Sequence, residues 1–178
     1  MSDRIVPSSI VPRLGAVDGV VRWFLTAFLV TITAGYATGV YFVSVTTHGS
    51  VVGTVHEFRG NEEVPLEEAR EIKYAKDTME MLNVIHAHVT SFALIYLAVG
   101  AIFLCSSYPP GLKGILAVEP FAATLILFGG MAALRYLGST AAGAFAGIMM
   151  LAGFSTFGCF LIMVALSLWE MWRPQKRG

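Results

Sequence analysis

The sequence predicts an all-α integral membrane protein, a bundle of four antiparallel helices with both ends in the cytoplasm (N-in/C-in). Three observations carry that prediction. Hydrophobic residues make up 56% of the chain and charged residues 13%, whereas a soluble domain carries about 25% charged residues. The apolar residues gather into four runs, each long enough at 1.5 Å per residue to cross a hydrocarbon core of about 30 Å. Basic residues and tryptophans crowd one set of run ends, as they do at a cytoplasmic membrane face. With 178 residues the chain makes a single domain, 1–178.

Residues Met1 to Val21 hold two prolines and two serines without a strong period, and read as a loose lead. The first span runs from about Trp23 to Val45. Its apolar stretch is longer than the 7–15 residues of a signal-peptide core, so it reads as an uncleaved anchor. Residues Thr46 to Met81 are the one sizeable extramembrane segment. Its first half, THGSVVGTVHEFRGNEEV, reads as a glycine-rich loop. Its second half, Pro65 to Met81, has proline at a first helical turn with acids behind it, which predicts a short surface helix. The second span runs from about Leu82 to Cys105, the third from about Val118 to Leu137, and the fourth from about Ala142 to Trp169. The turn SSYPPGLKG joins the second to the third, and the hairpin LGSTAAG joins the third to the fourth. No run carries a charge at its middle. Gly35-x3-Gly39 and Gly143-x3-Gly147 each place small residues on one helical face, which predicts close helix packing, with a dimer face or a flat cofactor as the alternatives.

Orientation follows from the basic residues. Arg4, Arg13, Arg22, Lys113, Arg173, Lys176 and Arg177 lie on one side, seven of the twelve, and Arg59, Arg70, Lys73, Lys76 and Arg135 on the other. Trp23, Trp169 and Trp172 fall on the seven-residue side. That side is the cytoplasm, and the long first connection faces out. A net charge of zero gives no reason to expect nucleic acid. Cys105 and Cys159 are too few for a disulfide framework and read as buried thiols.

The residues able to carry chemistry are the four histidines, His48, His56, His86 and His88, all on the outer side. Neutral imidazole is the commonest nitrogen ligand of haem iron, copper and zinc. His86 and His88 are two positions apart, a turn of about 200°, so a regular helix points them apart. His86 shares its face with Asn83, Thr90 and Ala93, and that smaller, more polar stripe is read as facing the bundle interior. Arg135 would suit a haem propionate or an outer carboxylate, or it snorkels to the interface. Copper or zinc could be held by His48, His56, His86 or His88. With no histidine in the later spans, a bis-histidine haem has only His48, His86 and His88 to draw on.

The stretch HAHVTSFALIYLAVGAIF, His86 to Phe103, resembles the helix that opens with His-x-His in short four-helix membrane proteins similar to subunit I of haem-copper oxidases. The loop VHEFRGNEE resembles that of poorly characterised membrane proteins of bacterial respiratory systems. These resemblances imply a multi-pass protein of the bacterial inner membrane, a subunit of a respiratory electron-transfer assembly. Haem b, or copper or zinc, is then expected near His86, His88 and Arg135. The implied partners are the lipid bilayer and a cytochrome or outer-side catalytic subunit, docked through Thr46–Met81. Two other readings stand beside it: a cofactor-free structural or assembly subunit, and a metal-handling or small-solute transport protein. Without a nucleophile–base pair, a phosphate loop or a Cys-x-x-Cys, the chain is not expected to catalyse a reaction alone.

The topology has a direct check. A cysteine placed at Gly60 is expected to react with a membrane-impermeant maleimide from outside intact cells. Labelling only after the cytoplasm is opened would reverse the orientation.

Overall fold

In the computed structural model, which describes residues 13–62, 65, 71–137 and 139–174, the described chain is helical with no strand. Five α-helices follow one another: α1 Gly19–Thr47, α2 Val51–Arg59, α3 Thr78–Leu104, α4 Pro110–Tyr136 and α5 Ala142–Trp172. All but α2 are long and apolar enough to cross a membrane. The protein is a multi-pass helical membrane bundle, as the apolar runs predict. The end that carries Gly19 and Trp172 is called the near end below, and the opposite end the far end.

Each helix starts where the local chemistry says it should. Asp18 accepts from the Val21 amide at 2.9 Å and Asp77 from the Glu80 amide at 2.8 Å, so both serve as N-caps. Pro110 opens α4 at the first helical turn, where its missing N–H costs nothing. That start is eight residues before the one the apolar count gives, so Glu119, at the edge of the apolar run, lies a third of the way along the helix. Apolar counting starts the run at Val118, whereas the proline at the first turn starts the helix about two turns earlier.

The long first connection also differs from expectation. Its glycine-rich half is helical. His48 and Gly49 adopt left-handed φ values of 52° and 58° and stop α1. Ser50 then caps α2 through the Gly53 amide at 2.9 Å. Gly53 is needed here because a β-carbon at this position would sit 1.9 Å from the Thr47 carbonyl oxygen. Gly60, at φ 80°, ends the helix. The expected surface helix over Pro65–Met81 does not form in its described part. Residues 71–77 carry no helix, and α3 begins only at Thr78; Glu63, Glu67, Glu68 and Arg70 lie outside the described residues. Asn61 explains the extended path. Its amide donates to the Glu71 carbonyl at 2.9 Å while its side-chain oxygen accepts from the Lys73 amide. Those bonds take backbone groups that a helix would need.

Packing is uneven. The α4–α5 hairpin is the main helix pair, with α3 against it. Two apolar clusters fill the bundle, one around Tyr96, Phe103, Phe160 and Met163 towards the near end and one around Met81, Phe128, Leu134 and Met149 towards the far end. Ala142 and Ala146, not Gly143 and Gly147, are the small residues buried in α5. A methyl group added at Gly35, Gly39 or Gly147 would meet nothing within 4 Å, whereas one at Gly143 would reach Val51 of α2 at 4.0 Å, so among the described residues the Gly35–Gly39 pair does not mediate packing. Only 6% of the apolar window of α1 is buried, against 33% for α4 and for α5. The anchoring of α1 is local. Tyr36 stacks on Phe92, Phe157 and Phe160 and shares a 2.7 Å hydrogen bond with Tyr96. At the near end Trp23 meets Trp172 edge-on.

These contacts separate two glycines of similar appearance. Gly53→Ala is expected to lower the unfolding midpoint in detergent, at a cost of about 1–3 kcal/mol from overpacking. Gly35→Ala, with open space around it, is expected to hold or slightly raise the midpoint, because alanine loses less backbone entropy in a helix.

Candidate functional site

Three polar groupings stand out in a protein this apolar. The first closes the far end. Arg59, the last residue of α2, donates through Nη1 to the Leu134 and Leu137 carbonyls at 3.1 and 2.8 Å. Those are the unpaired carbonyls that end α4. Arg135 reaches back through Nε to the Lys76 carbonyl at 2.7 Å, and its guanidinium lies over Tyr136. Lys73 hydrogen-bonds the Thr46 carbonyl and pairs with Glu57 at 2.7 Å and Glu71 at 3.0 Å. Lys76 pairs with Glu57 and with Glu80. The segment expected to be a docking loop thus ties α1, α2, α3 and α4 together.

Charge in this network is coupled. Burial works to lower the Lys73 pKa, but the bonds to Glu57 and Glu71 outweigh it and raise it. Lys76 is raised, chiefly by its bond to Glu80. Glu71 is lowered, chiefly by its bond to Lys73.

The second grouping is the histidines, which the structure does not bring together. Among the described residues no three His, Cys, Asp or Glu side chains gather as a metal site would require. His48 caps α1, with Nε2 3.7 Å from Glu71. His56 lies half-buried in α2. His86 is exposed on α3 and does not face the bundle interior, contrary to the reading of its stripe. Asn83 and Thr90 share that exposed face. Small polar residues there reflect an outward surface, a distinction that helical periodicity alone does not make. His88 is also exposed, but its Nδ1 is 2.8 Å from the Val84 carbonyl and its ring leans on Phe128 at 5.5 Å. Arg135, engaged with Lys76, is not directed at either histidine's free ring nitrogen by any contact.

The third grouping was not expected from sequence and lies inside the membrane. Glu119 of α4 accepts a hydrogen bond at Oε1 from the Ser155 hydroxyl of α5. Its Oε2 is enclosed and has no partner. Cys159 of α5 sits beside it, with the Tyr96 and Tyr36 hydroxyls near. A third run that begins at Val118 leaves this residue at its edge; the signal that moves it inward is Pro109-Pro110, which marks where α4 begins. At the near end a second acid, Glu170, is buried and accepts from the Ser107 amide through both carboxylate oxygens at 2.9 Å. It caps the turn between α3 and α4.

Residues 48–178 match the Aq_1264_TM family, described as a transmembrane helical domain. The match covers most of the chain, which belongs to this family. It takes in α2 to α5 and leaves α1 outside. No curated protein and no solved structure matches the chain.

The lysine network gives a pH prediction. Both lysines have raised folded-state pKa values, so their stabilisation is complete below the unfolded lysine pKa of about 10.4 and fades as pH climbs through the folded values. The unfolding midpoint in detergent is expected to fall above that pH, and a Glu57→Gln variant to show a smaller fall over the same range.

Proposed function

We propose that this member of a transmembrane helical family is an integral subunit of a larger membrane assembly, and that a neighbouring membrane helix packs on the outward face of α3. One observation carries the reading. Asn83, His86 and Thr90 occupy one face at i, i+3 and i+7, exposed, with no hydrogen-bond partner among the described residues. His86 lies eight residues into α3, about 12 Å along its axis. Hydrocarbon offers such groups no hydrogen bonds, and polar residues at membrane depth face protein or a cavity. The bare surface of α1, with open space at Gly35 and Gly39, supports the same reading, because small residues admit close helix contact.

The kind of assembly follows from the ligand chemistry on that face. A respiratory electron-transfer complex is the reading that the exposed imidazole of His86 favours. Its ring has no protein partner, whereas His88 is held by the Val84 carbonyl. A haem, or a copper or zinc ion, would then lie between His86 and a ligand on the neighbouring subunit, since the histidines of one chain diverge. A cofactor-free subunit is the rival, and it uses the same face through hydrogen bonds alone. The membrane is the bacterial cytoplasmic membrane in this reading, with the far end outside.

A photo-crosslinking residue at His86, compared with one at Ile126 on the exposed side of α4, tests the interface in native membranes. The expected product joins position 86 to a different membrane protein. Adducts with lipid alone, or with a second copy alone, would overturn the reading. A variant with leucine at positions 83, 86 and 90 is expected to insert normally yet lose about tenfold of its partner on purification, since interhelical hydrogen bonds contribute about 1–2 kcal/mol. The reduced-minus-oxidised absorption spectrum of the assembly, before and after His86→Ala, separates haem from no haem.

A further inference from the structure

The carboxyl of Glu119 is a group that the docking reading does not use. It lies nine residues into α4, about 14 Å from the helix start, on a helix of 27 residues. That places it within the hydrocarbon zone, roughly a third of the way along the span. An ionised carboxylate there requires a cation or several donors to replace its hydration. No cation is present among the described residues, where Glu119 has no salt bridge; the donors beside it are the Ser155 hydroxyl and the Cys159 thiol, a weak one. The groups that face it are Ser155 and Cys159 from α5, Tyr96 from α3 and Tyr36 from α1. None of these side chains carries a positive charge at any pH.

The two carboxyl oxygens are not equivalent. Oε1 accepts the Ser155 proton, as a carbonyl oxygen does. Oε2 is shielded from solvent and makes no hydrogen bond, with the Cys159 thiol, a weak donor, beside the carboxyl. A proton on Oε2 removes the charge and gives that oxygen the O–H it otherwise lacks. Thr156 Oγ1, on the next position of α5, is also enclosed and without a partner, so this level of the bundle holds more than one unsatisfied oxygen. Ser155 itself is exposed at the flank of the bundle, which leaves the site close to the protein–lipid boundary.

We propose that Glu119 is a proton-binding site inside the membrane, with Oε2 as the atom that takes the proton and Ser155 as the group that orients the carboxyl. The step is a simple association: a hydronium ion gives its proton to Oε2 and leaves as water. The ligand is the proton, and a sodium ion is the competing occupant that the test must separate from it.

Dicyclohexylcarbodiimide is the probe, because it enters the bilayer and reacts with protonated carboxyls to leave a stable acylurea. Full-length protein in native membranes is labelled over a pH series, digested and mapped by mass spectrometry. The adduct is expected on Glu119, weakening as pH rises. It is expected to be absent from Glu119→Gln and to persist to higher pH in Ser155→Ala, which loses a donor that favours the ionised carboxylate. Infrared spectra of the purified protein provide the second readout: a protonated carboxyl C=O band that shifts in heavy water and is lost in Glu119→Gln. If that variant fails to insert, the position of the adduct in the parent protein still decides. Protection of Glu119 by sodium at constant pH would overturn the proton in favour of the metal ion. An unlabelled Glu119, with other carboxyls of the same protein labelled, would overturn the site.

Discussion

Every backbone N–H and C=O inside a bilayer must find its partner within the protein. In this chain that constraint accounts for more than the choice of helices. It governs what happens where helices stop. The last carbonyls of α4 are taken by Arg59. The carbonyls of Leu104 and Ser106, at the end of α3, are taken by Lys113 Nζ at 3.0 and 3.1 Å. The Ser107 amide is taken by Glu170. Each of these side chains comes from a different element than the end it closes. The caps therefore act as tertiary bonds, and the turns of the bundle are held by charged residues in places where a soluble bundle would rely on water.

The four spans were legible because span length and hydropathy are set by the bilayer and not by neighbours. The helices match the apolar runs to within a few residues at most ends, and the largest discrepancy, Val118 against Pro110, arises where capping outweighs hydropathy. The extramembrane segment was legible only in part. Gly53 reads as a helix breaker until its contact with the Thr47 carbonyl is known, and that contact depends on the chain reversing at His48 and Gly49. The histidines show the limit for sites. Periodicity placed Asn83, His86 and Thr90 on one face correctly, yet it carries no sign, so interior and exterior could not be told apart. Glu119 was hidden for the converse reason, since an acid near an apparent span boundary looks like an interfacial residue.

The family match begins where the least buried span ends, at His48, the residue that ends α1. The helices α2 to α5 share the apolar cluster of the far end and the polar closure above it. By contrast α1 joins the near-end cluster, through Leu29 and Tyr36, and meets Trp172 near its start. A core of three spans with a covering short helix, and a fourth span laid alongside, describes the molecule better than a symmetric bundle of four.

The place where Tyr36 docks has a consequence for biogenesis. A ribosome releases α1 before α5, to which Phe157 and Phe160, on which Tyr36 stacks, belong. Until α5 is made, Tyr36 has only the α3 side of its seat, Phe92 and Tyr96. Helix α1 must reside in lipid on its own apolar side chains, alongside an insertase, until α5 threads in and supplies the aromatic floor. The sparse burial of α1 is what such a wait demands, because a helix that needed its neighbours to be membrane-soluble would be rejected before they existed. Full docking of Tyr36 therefore waits on α5, whose aromatic rings complete its seat.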